Sequence, residues 1–504
     1  MNAKTNVWRA LGAAAAIGAF APAAGFAQSV PRGQQVIMPT PQPMPTPGGT
    51  PLPYPAYGTP APDVAQLAPK KGVPAVVSLA QAVKIAVALS PAFAAQNAQW
   101  AAIHAKYTSE KQALFPALSG TGTIGNQYSN SILSGSRVHA LPSATPGSGT
   151  LGGNSTISSE SIGITVQQLV YDGGRTIAAI HEAKSADYAG RATLLRNLQT
   201  LALNVANTYY AVLQNEATVV ADNQLVKEFE VNEASVTAQI RNGAAARSDL
   251  AAAQFQTAQA RGNLVTAQGQ AIAAQAQFAT TLGLDADTQA VPQPLGAQTQ
   301  APNPSYGTSL QRALLLRPDY IAAQYSVESD KEGLRYAKLA RFPVLSAGAS
   351  DTIGKSFGPL TQVASATGST YTNTKTLGLN LSIPIYDQGL TNYNVAVAAA
   401  TLDVAYATLR QTQLQVQSDV RSALANLISA RALLVQTNSE LNAAKVSLDA
   451  TQAQYRVGAT TIINVVTAEA NLSTAQSDQI QALYGVQTAQ QNYLYATGTS
   501  DLQL

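Results

Sequence analysis

Cysteine is absent from this chain of 504 residues, which excludes disulfide bonds, thiolate metal sites and lipid attachment at a cysteine behind a signal peptide. The three histidines, His104, His139 and His181, lie far apart in the sequence, so no histidine-based metal site is expected. Charged residues make up only 11% of the chain, where roughly 25% is usual for soluble proteins. The net charge of +3 gives no basic field that would attract nucleic acid.

Enzyme signatures are missing as well. The sequence contains no nucleophile elbow, zinc signature, phosphate-binding loop or pair of catalytic carboxylates. Asp172 and Asp387 occupy equivalent positions of an internal repeat, and an active site is not normally duplicated so symmetrically. We therefore expect no catalytic residue, no cofactor and no metal, and a soluble periplasmic enzyme is the weakest interpretation of the chain.

The N-terminus has the features of a secretory signal peptide over residues 1–27. Lys4 and Arg9 supply positive charge, and an apolar alanine-rich stretch leads to Gly25-Phe26-Ala27, the expected cleavage site, which has small residues at its −3 and −1 positions. The next segment, residues 28–77, contains 13 of the chain's 26 prolines. That composition predicts an extended linker without a packed core.

Beyond this linker the chain repeats itself. Leu114–Ser119 recurs as Arg341–Ser346, which is 227 positions further on, and Tyr171–Gly174 recurs as Tyr386–Gly389, which is 215 positions further on. The first copy therefore carries 12 extra residues in one loop, and a single confined insertion indicates a structural duplication. The predicted segments are a first repeat over residues 78–285, a linker over residues 286–304 and a second repeat over residues 305–500.

Each repeat contains a stretch in which apolar side chains occupy every second position. In the second repeat this alternation runs from Leu377 to Ile385, with small or polar residues between, and it also occurs over Leu345–Ser350. The first repeat shows it over Ser161–Gln167. A period of two predicts half-buried strands, and runs of about ten residues have the length of a tilted membrane-crossing strand. Each repeat is expected to supply one strand hairpin.

The proline-free regions 172–291 and 385–504 predict long helices. In the second repeat, apolar residues recur every seven positions, which is the seam of a coiled coil. That register is broken only at Gln413 and is occupied by Tyr406, Val420, Leu427, Leu434, Leu441, Leu448 and Tyr455. Gly243 and Gly458 are expected to end these helices and turn the chain into a second helix, because glycine readily adopts the left-handed conformation.

Two strand hairpins per chain have a consequence if they enter a membrane. Four strands cannot close a barrel, and open edges in lipid leave unpaired N–H and C=O groups that cost several kcal/mol each. Barrels made from one chain start at about eight strands. Several copies must then join around a common pore, and three copies would supply about twelve strands.

These residues resemble the TolC-like family of outer-membrane efflux proteins over about residues 78–500, most specifically over Leu381–Gly389 and Tyr455–Val466. The resemblance implies an α+β membrane protein. Its homotrimer would form a twelve-stranded β-barrel, four strands per chain, continued by a periplasmic α-helical coiled-coil tunnel. It also implies a passive exit duct of a tripartite efflux or type I secretion system in the cell outer membrane. The implied partners are a periplasmic adaptor (membrane fusion) protein, an inner-membrane RND or ABC transporter and outer-membrane lipid.

The resemblance places the two helix-turn tips at the periplasmic entrance, where the adaptor docks and the tunnel closes; simple helix capping is the alternative. The candidate residues are Arg241, Asn242, Gly243, Asp249, Tyr455, Arg456, Val457, Gly458, Thr460, Thr461 and Asn464. A second set lies at the joint between barrel and tunnel and is interpreted as structural. It comprises Tyr171, Gly174, Pro384, Tyr386 and Gly389.

The second tip departs from the family pattern. Family members often carry acidic residues just inside it and a basic residue in the gate, whereas this chain has Asn464 and Thr467 at the acidic positions and Thr460 at the basic one. We predict that this mouth lacks the acidic constriction, and block of the current by micromolar trivalent cations would contradict that. Tyr455 keeps a hydroxyl group that can close the gate.

A coiled-coil stalk or adhesin without a pore is the main alternative. It shares the long helices but does not require two strand hairpins at matched positions, and conductance in planar bilayers separates the two interpretations.

Overall fold

The computed structural model describes residues 76–132, 152–243, 245–294, 303–359 and 367–499. The predicted signal peptide and almost all of the predicted proline-rich linker lie outside these residues. The first half contains β1 (Val76–Val77), α1 (Leu79–Leu89), α2 (Pro91–Gln112), β2 (Ala117–Ile132), β3 (Gly152–Tyr171), α3 (Arg175–Arg241) and α4 (Arg247–Thr281). The second half contains β4 (Val291–Pro292), α5 (Tyr306–Leu316), α6 (Pro318–Leu339), β5 (Val344–Pro359), β6 (Thr367–Ser382), α7 (Leu390–Arg456) and α8 (Ile462–Thr497).

The same order of elements occurs in both halves. The helices α3 and α7 both span 67 residues, and the strands β2 and β5 both span 16 residues. The segments that connect the paired strands, residues 133–151 and 360–366, differ by the 12 inserted residues. The predicted mixture of long helices and strand hairpins is confirmed, whereas the domain boundaries remain predictions. The short strands β1 and β4 pair in parallel inside the two segments that were predicted to be linkers.

The long strands form one antiparallel sheet in the order β2-β3-β5-β6. The pairing of β3 with β5, for example Ile162 opposite Ile353, joins the two halves of the chain. β2 and β6 are the outer strands, and neither has a second partner within the described residues. The sheet therefore ends in two edges that each display backbone donors and acceptors.

Strand β6 differs from its predicted form in two respects. It ends at Ser382, so Ile383 and Ile385 lie beyond the strand, because Pro384 has no N–H group to continue the ladder. The strand is also not half-buried within the single chain, since the Leu377 side chain is 86% exposed. No other layer of the chain covers the apolar face of this sheet among the described residues.

The predicted heptad seam of α7 is confirmed in the middle of the helix and toward its end, but it fails near the beginning of the helix. Val420, Leu427 and Leu448 are buried, as predicted, whereas Tyr406 is 45% exposed and the neighbouring Ala405 is buried instead. A straight α-helix drifts by about 20° per heptad relative to a strict seven-residue repeat. Tyr406 lies two heptads before Val420, and over that distance the drift turns the buried face of the helix toward the preceding residue, Ala405.

Local sequence explains where the short helices begin. The Ser78 hydroxyl accepts a hydrogen bond from the Gln81 N–H, and the Gln81 side chain accepts one from the Ser78 N–H, which forms a capping box before α1. Ser90 and Pro91 then end α1 and begin α2, where proline is tolerated at the first helical position. Ala82, Val83 and Ala86 of α1 pack on α3 and α4 in a buried apolar cluster, called here the α1 core.

A second buried cluster, called here the tip core, joins both helical hairpins near the turns that end them. It contains Phe229 of α3, Ala253 of α4, Leu448 of α7 and Val465 of α8. Among the described residues, no single helix has the length and hydropathy of a membrane span; α1 and α2, bent by 58° at their junction, reach that level only when taken together.

Candidate functional site

The strand-to-helix joints are built in the same way in both halves. The Asp172 carboxylate accepts hydrogen bonds from the N–H groups of Gly174 (3.0 Å) and Thr176 (2.6 Å). The Asp387 carboxylate accepts them from Gly389 (3.1 Å) and Thr391 (2.7 Å). Each aspartate therefore caps the first turn of a 67-residue helix, where the free N–H groups and the helix dipole both favour an anion.

These caps hold the aspartates in their charged form. Burial acts in the opposite direction, but the hydrogen bonds from Thr176 and Gly174 outweigh it, so the pKa of Asp172 lies below its usual value. The hydrogen bonds from Thr391 likewise lower the pKa of Asp387. Sequence reasoning assigned both aspartates to the repeat but did not identify them as caps.

The predicted joint residues lie around these caps. Gly174 and Gly389 are the residues just before the helices and have φ values of 88° and 86°, which is the left-handed region that favours glycine. Tyr171 ends β3, and Tyr386, two residues after Pro384, follows the end of β6 with an exposed side chain. The joint therefore consists of a left-handed glycine and an aspartate cap in each half, and neither tyrosine hydroxyl forms a hydrogen bond among the described residues.

At the opposite ends of α3 and α7, both tips have the predicted helix-ending turn. Arg241 is the last residue of α3, Asn242 follows it, and Gly243 has a φ of 75°. In the second tip, Arg456 is the last residue of α7, Val457 follows it, and Gly458 has a φ of 74°. In the second tip, Thr461 precedes α8 without forming a side-chain cap. The turn geometry alone accounts for the glycines.

One side-chain contact joins the two tips. The Tyr455 hydroxyl of α7 donates a hydrogen bond to Oδ2 of Asp249 in the first turn of α4, at 3.1 Å. Burial and the nearby Asp249 carboxylate raise the pKa of Tyr455 to about 12, so its proton stays in place. Of the predicted tip residues, only these two are linked across the hairpins by a side-chain hydrogen bond within the described part of the chain.

The position equivalent to Asp249 in the second half is Asn464, which makes a purely local contact. Its side-chain amide donates to the Thr460 hydroxyl at 2.7 Å, and both residues belong to the second tip. Arg241, Asn242, Arg456, Val457 and Thr461 are exposed. The structure therefore brings together Tyr455 with Asp249 and Thr460 with Asn464, and leaves the arginines exposed to solvent.

A buried carboxyl group near the tips was missed by sequence reasoning. Glu469 of α8 is only 2% exposed and accepts a hydrogen bond from the Asn232 side chain of α3 at 2.8 Å. Burial raises the pKa of Glu469 to about 7, the Asn232 hydrogen bond lowers it and the Glu228 charge raises it further. A signal existed in the sequence, because the repeat-equivalent position in α4 is the uncharged Gln254.

An ion-pair cluster around the buried Arg317 was also missed. Arg317, 2% exposed, donates to Asp319 and to Asp419 at 2.8 Å, and Arg196 lies 3.5 Å from Asp319. Burial acts against ionisation of Asp319, but the bonds from Arg317 and the charge of Arg196 keep its pKa below its usual value. The cluster ties α3, α6 and α7 together. Its signal was the replacement of Ser90 by Arg317 at equivalent positions of the repeat.

Comparisons with known proteins cover both halves of the chain. The sequence profile of the family described as "Outer membrane efflux protein" matches residues 82–284 and 309–499. The outer membrane protein TolC of Escherichia coli (strain K12) is 28% identical over 355 residues, which are 69% of this chain and 71% of that protein. The outer membrane efflux protein BepC of Brucella suis is 25% identical over 349 residues, which are 67% of this chain and 72% of BepC.

Solved structures share the fold. The Campylobacter jejuni CmeC outer membrane channel matches with a TM-score of 0.69 at 16% identity, over 84% of this chain and 87% of CmeC. The Neisseria gonorrhoeae MtrE outer membrane channel, solved in its open state, matches with a TM-score of 0.64 at 18% identity, over 83% of this chain and 88% of MtrE. At these identities the likeness concerns the fold, which is a strand hairpin followed by long paired helices, twice over.

Proposed function

Because the chain belongs to the outer membrane efflux protein family, as its sequence resemblance predicted, we propose that it is the exit duct of a tripartite efflux or type I secretion system. It is an outer-membrane protein, and its relatives are named as efflux proteins and channels rather than as enzymes. In this function the protein is a passive conduit from the periplasm to the exterior. The energy for transport comes from an inner-membrane pump.

The observation that carries this proposal is the four-stranded sheet with two free edges. Its alternate side chains Leu377, Leu379 and Leu381 are exposed in the single chain, although they are strongly apolar. Lipid would cover such a face, and pairing of β2 with β6 of the next copy would satisfy both edges. We infer a homotrimer, because three copies supply about the twelve strands that close a barrel with an open lumen.

The helices extend this channel into the periplasm. Each strand hairpin continues into a 67-residue helix at an aspartate-capped joint, so the lumen of the barrel would continue between the helices. A helix of that length spans about 100 Å at ~1.5 Å per residue. The tips then lie far from the outer membrane, where a periplasmic adaptor and an inner-membrane RND or ABC transporter can meet them.

Conductance measurements test the channel, and two neighbouring residues of β6 provide a matched pair of variants. The Leu379→Arg variant places a charge on the face assigned to lipid, which costs up to about 2–4 kcal/mol and should abolish membrane insertion. The Asn380→Arg variant places the same charge on the opposite face and should still insert. The wild-type protein should run as a detergent-resistant trimer and conduct in planar bilayers.

Two results would contradict the proposal. A wild-type protein that stays monomeric in water without detergent, or that inserts without conducting, favours the coiled-coil stalk. Equal membrane insertion of the Leu379→Arg and Asn380→Arg variants would contradict the assignment of the Leu379 face of the sheet to lipid.

The tips are proposed to close the channel through the bond between Tyr455 and Asp249. This bond links the α7–α8 hairpin to the α3–α4 hairpin at their ends, next to the shared tip core. The Tyr455→Phe variant keeps the aromatic ring and loses the donor to a charged acceptor. We expect its open probability in bilayers to rise about tenfold, which corresponds to about 1.4 kcal/mol.

The repeat-equivalent position of Tyr455 supplies the control. Ile240 is the next-to-last residue of α3, as Tyr455 is of α7, but its side chain cannot form a hydrogen bond. The Ile240→Leu variant should therefore conduct like the wild type. If the Tyr455→Phe variant also matches the wild type, the contact serves only to cap and pack the helices.

A further inference from the structure

The last turns of the two helical hairpins carry an excess of positive charge. The segments 234–260 and 450–468 contain four charged residues in total. These residues are Arg241, Arg247, Asp249 and Arg456. All three arginine side chains are exposed, and none of them forms an ion pair within the described residues. Each chain therefore presents a net charge of +2 at its tips, from three arginines and one aspartate.

Helix stability explains two of these arginines but not the third. Arg241 and Arg456 end α3 and α7, where the helix dipole favours a cation. Arg247 is the first residue of α4, where the dipole disfavours a cation. The single aspartate of that turn, Asp249, is already hydrogen-bonded to Tyr455. The helix dipole therefore does not account for Arg247, which adds to the positive charge of the tips.

The nearest carboxylates are set back from the tips, although Glu233 lines one surface cavity with Arg241 and Asp449 lines another with Arg456. The next carboxylates along the helices are Glu233, Asp449 and Glu469, each at least seven residues from the end of its helix. Seven residues correspond to about 10 Å along a helix, which is also about the Debye length at 0.1 M salt. Asn464 and Thr467 add no carboxylate on α8. The positive potential at the tips is therefore only partly compensated.

Resting on the proposed channel function, we propose that the tip arginines make the periplasmic entrance prefer anionic solutes over cationic ones. In a trimer the tips contribute a net charge of +6 around one mouth, three times the +2 of a single chain. Such a cluster raises the local concentration of carboxylate- or phosphate-bearing solutes and lowers that of cations. Guanidinium groups suit this task, because they remain charged at any physiological pH and donate several hydrogen bonds to oxyanions.

Reversal potentials in a KCl gradient across a planar bilayer test this preference. The wild-type channel should be more permeable to chloride than to potassium. In the triple variant Arg241→Gln, Arg247→Gln, Arg456→Gln, the chloride-to-potassium permeability ratio should fall by at least about twofold near 0.01 M salt, where the Debye length is about 30 Å. The difference should vanish near 1 M salt, where that length is about 3 Å.

Arg261 provides the control on the same helix as Arg247. It is exposed, but its charge is paired with Glu230 at 2.7 Å, and it lies fourteen residues further along α4. The Arg261→Gln variant should therefore keep the wild-type selectivity. A conducting wild type that prefers cations, a triple variant with unchanged selectivity, or block by micromolar trivalent cations overturns this inference alone. Absence of any conductance overturns the channel function and this inference with it.

Discussion

Equivalent positions of the two halves use different chemistry for the same packing. In the first half, Ala82 of α1 and Phe278 of α4 lie together in the α1 core. In the second half, the equivalent residues are Ser309 of α5 and Tyr493 of α8, whose hydroxyl groups are hydrogen-bonded at 2.7 Å. A buried apolar cluster in one half thus corresponds to a hydrogen-bonded pair of hydroxyl groups in the other half.

The difference extends to the neighbouring turn. The first half begins α2 with Ser90, whose hydroxyl accepts a hydrogen bond from the Phe93 N–H at 3.5 Å. The second half begins α6 with the buried Arg317 and its two aspartates. The two halves therefore share the same backbone elements. Side chains at equivalent positions differ in sets, and within each set the buried polar atoms have hydrogen-bond partners.

The largest expected effect tests this contrast at the start of α6. The Arg317→Met variant removes the cation that Asp319 and Asp419 share, leaving Asp319 with Arg196 alone and Asp419 with no ion-pair partner among the described residues, and it should lower the free energy of unfolding by about 3 kcal/mol. The matched variant Ser90→Ala removes only a long capping bond and should cost about 1 kcal/mol or less. The measurement is the midpoint of urea denaturation of each variant in detergent. Equal costs would mean that the ion pairs do not distinguish the halves.

A smaller and pH-dependent effect is expected at Glu469, whose counterpart Gln254 is neutral. Because folding raises the pKa of Glu469 from 4.5 to about 7, its favourable contribution is complete below pH 4.5 and is lost as the pH rises through 7. The Glu469→Gln variant should therefore be more stable than the wild type by about 2 kcal/mol at pH 8 and no more stable at pH 4. Urea denaturation at the two pH values measures this.

The control for that experiment lies at the equivalent place in α4. The Gln254→Glu variant puts an ionisable group at an exposed position, so its stability should follow the wild type at both pH values. A Glu469→Gln variant with the same pH dependence as the wild type would show that another group governs it.

The smallest expected effect concerns the pair of hydroxyl groups. The Ser309→Ala variant leaves the buried Tyr493 hydroxyl without its partner and should cost about 1–2 kcal/mol. The double variant Ser309→Ala, Tyr493→Phe recreates the apolar pair of the first half and should recover most of that loss. Thermal dissociation of the purified protein in detergent compares the three proteins. No recovery in the double variant would mean that the two halves are not interchangeable at this place.

The repeat made much of the fold predictable from the sequence. Matched segments such as Tyr171–Gly174 and Tyr386–Gly389 located the joints, and Gly243 and Gly458 located the tips, because these features depend on local conformation. The end of β6 was misplaced because alternation of apolar residues continues past Pro384, although the hydrogen-bonded ladder does not. Local patterns thus predict elements and turns, but they extend a strand too far where a residue such as Pro384 lacks a backbone N–H donor.

Contacts between distant residues were not predictable in the same way. The bond between Asn232 and Glu469 and the cluster around Arg317 join residues more than 100 positions apart. Their formation depends on which faces of α3, α7 and α8 meet, and a weakly amphipathic helix does not reveal this. The repeat nevertheless marks such places, because a residue that is charged in one half is uncharged at the equivalent position of the other half. Glu469 and Gln254 are one such pair.

The place of the 12 extra residues has a practical consequence. Added residues within α3 or α7 would rotate every later side chain by about 100° each, and added residues within a strand would exchange its two faces. The connection between β2 and β3 lengthens the chain without changing either register. Residues 133–151 are therefore the natural point for grafting an epitope or an affinity tag, with the paired strands on both sides left as they are.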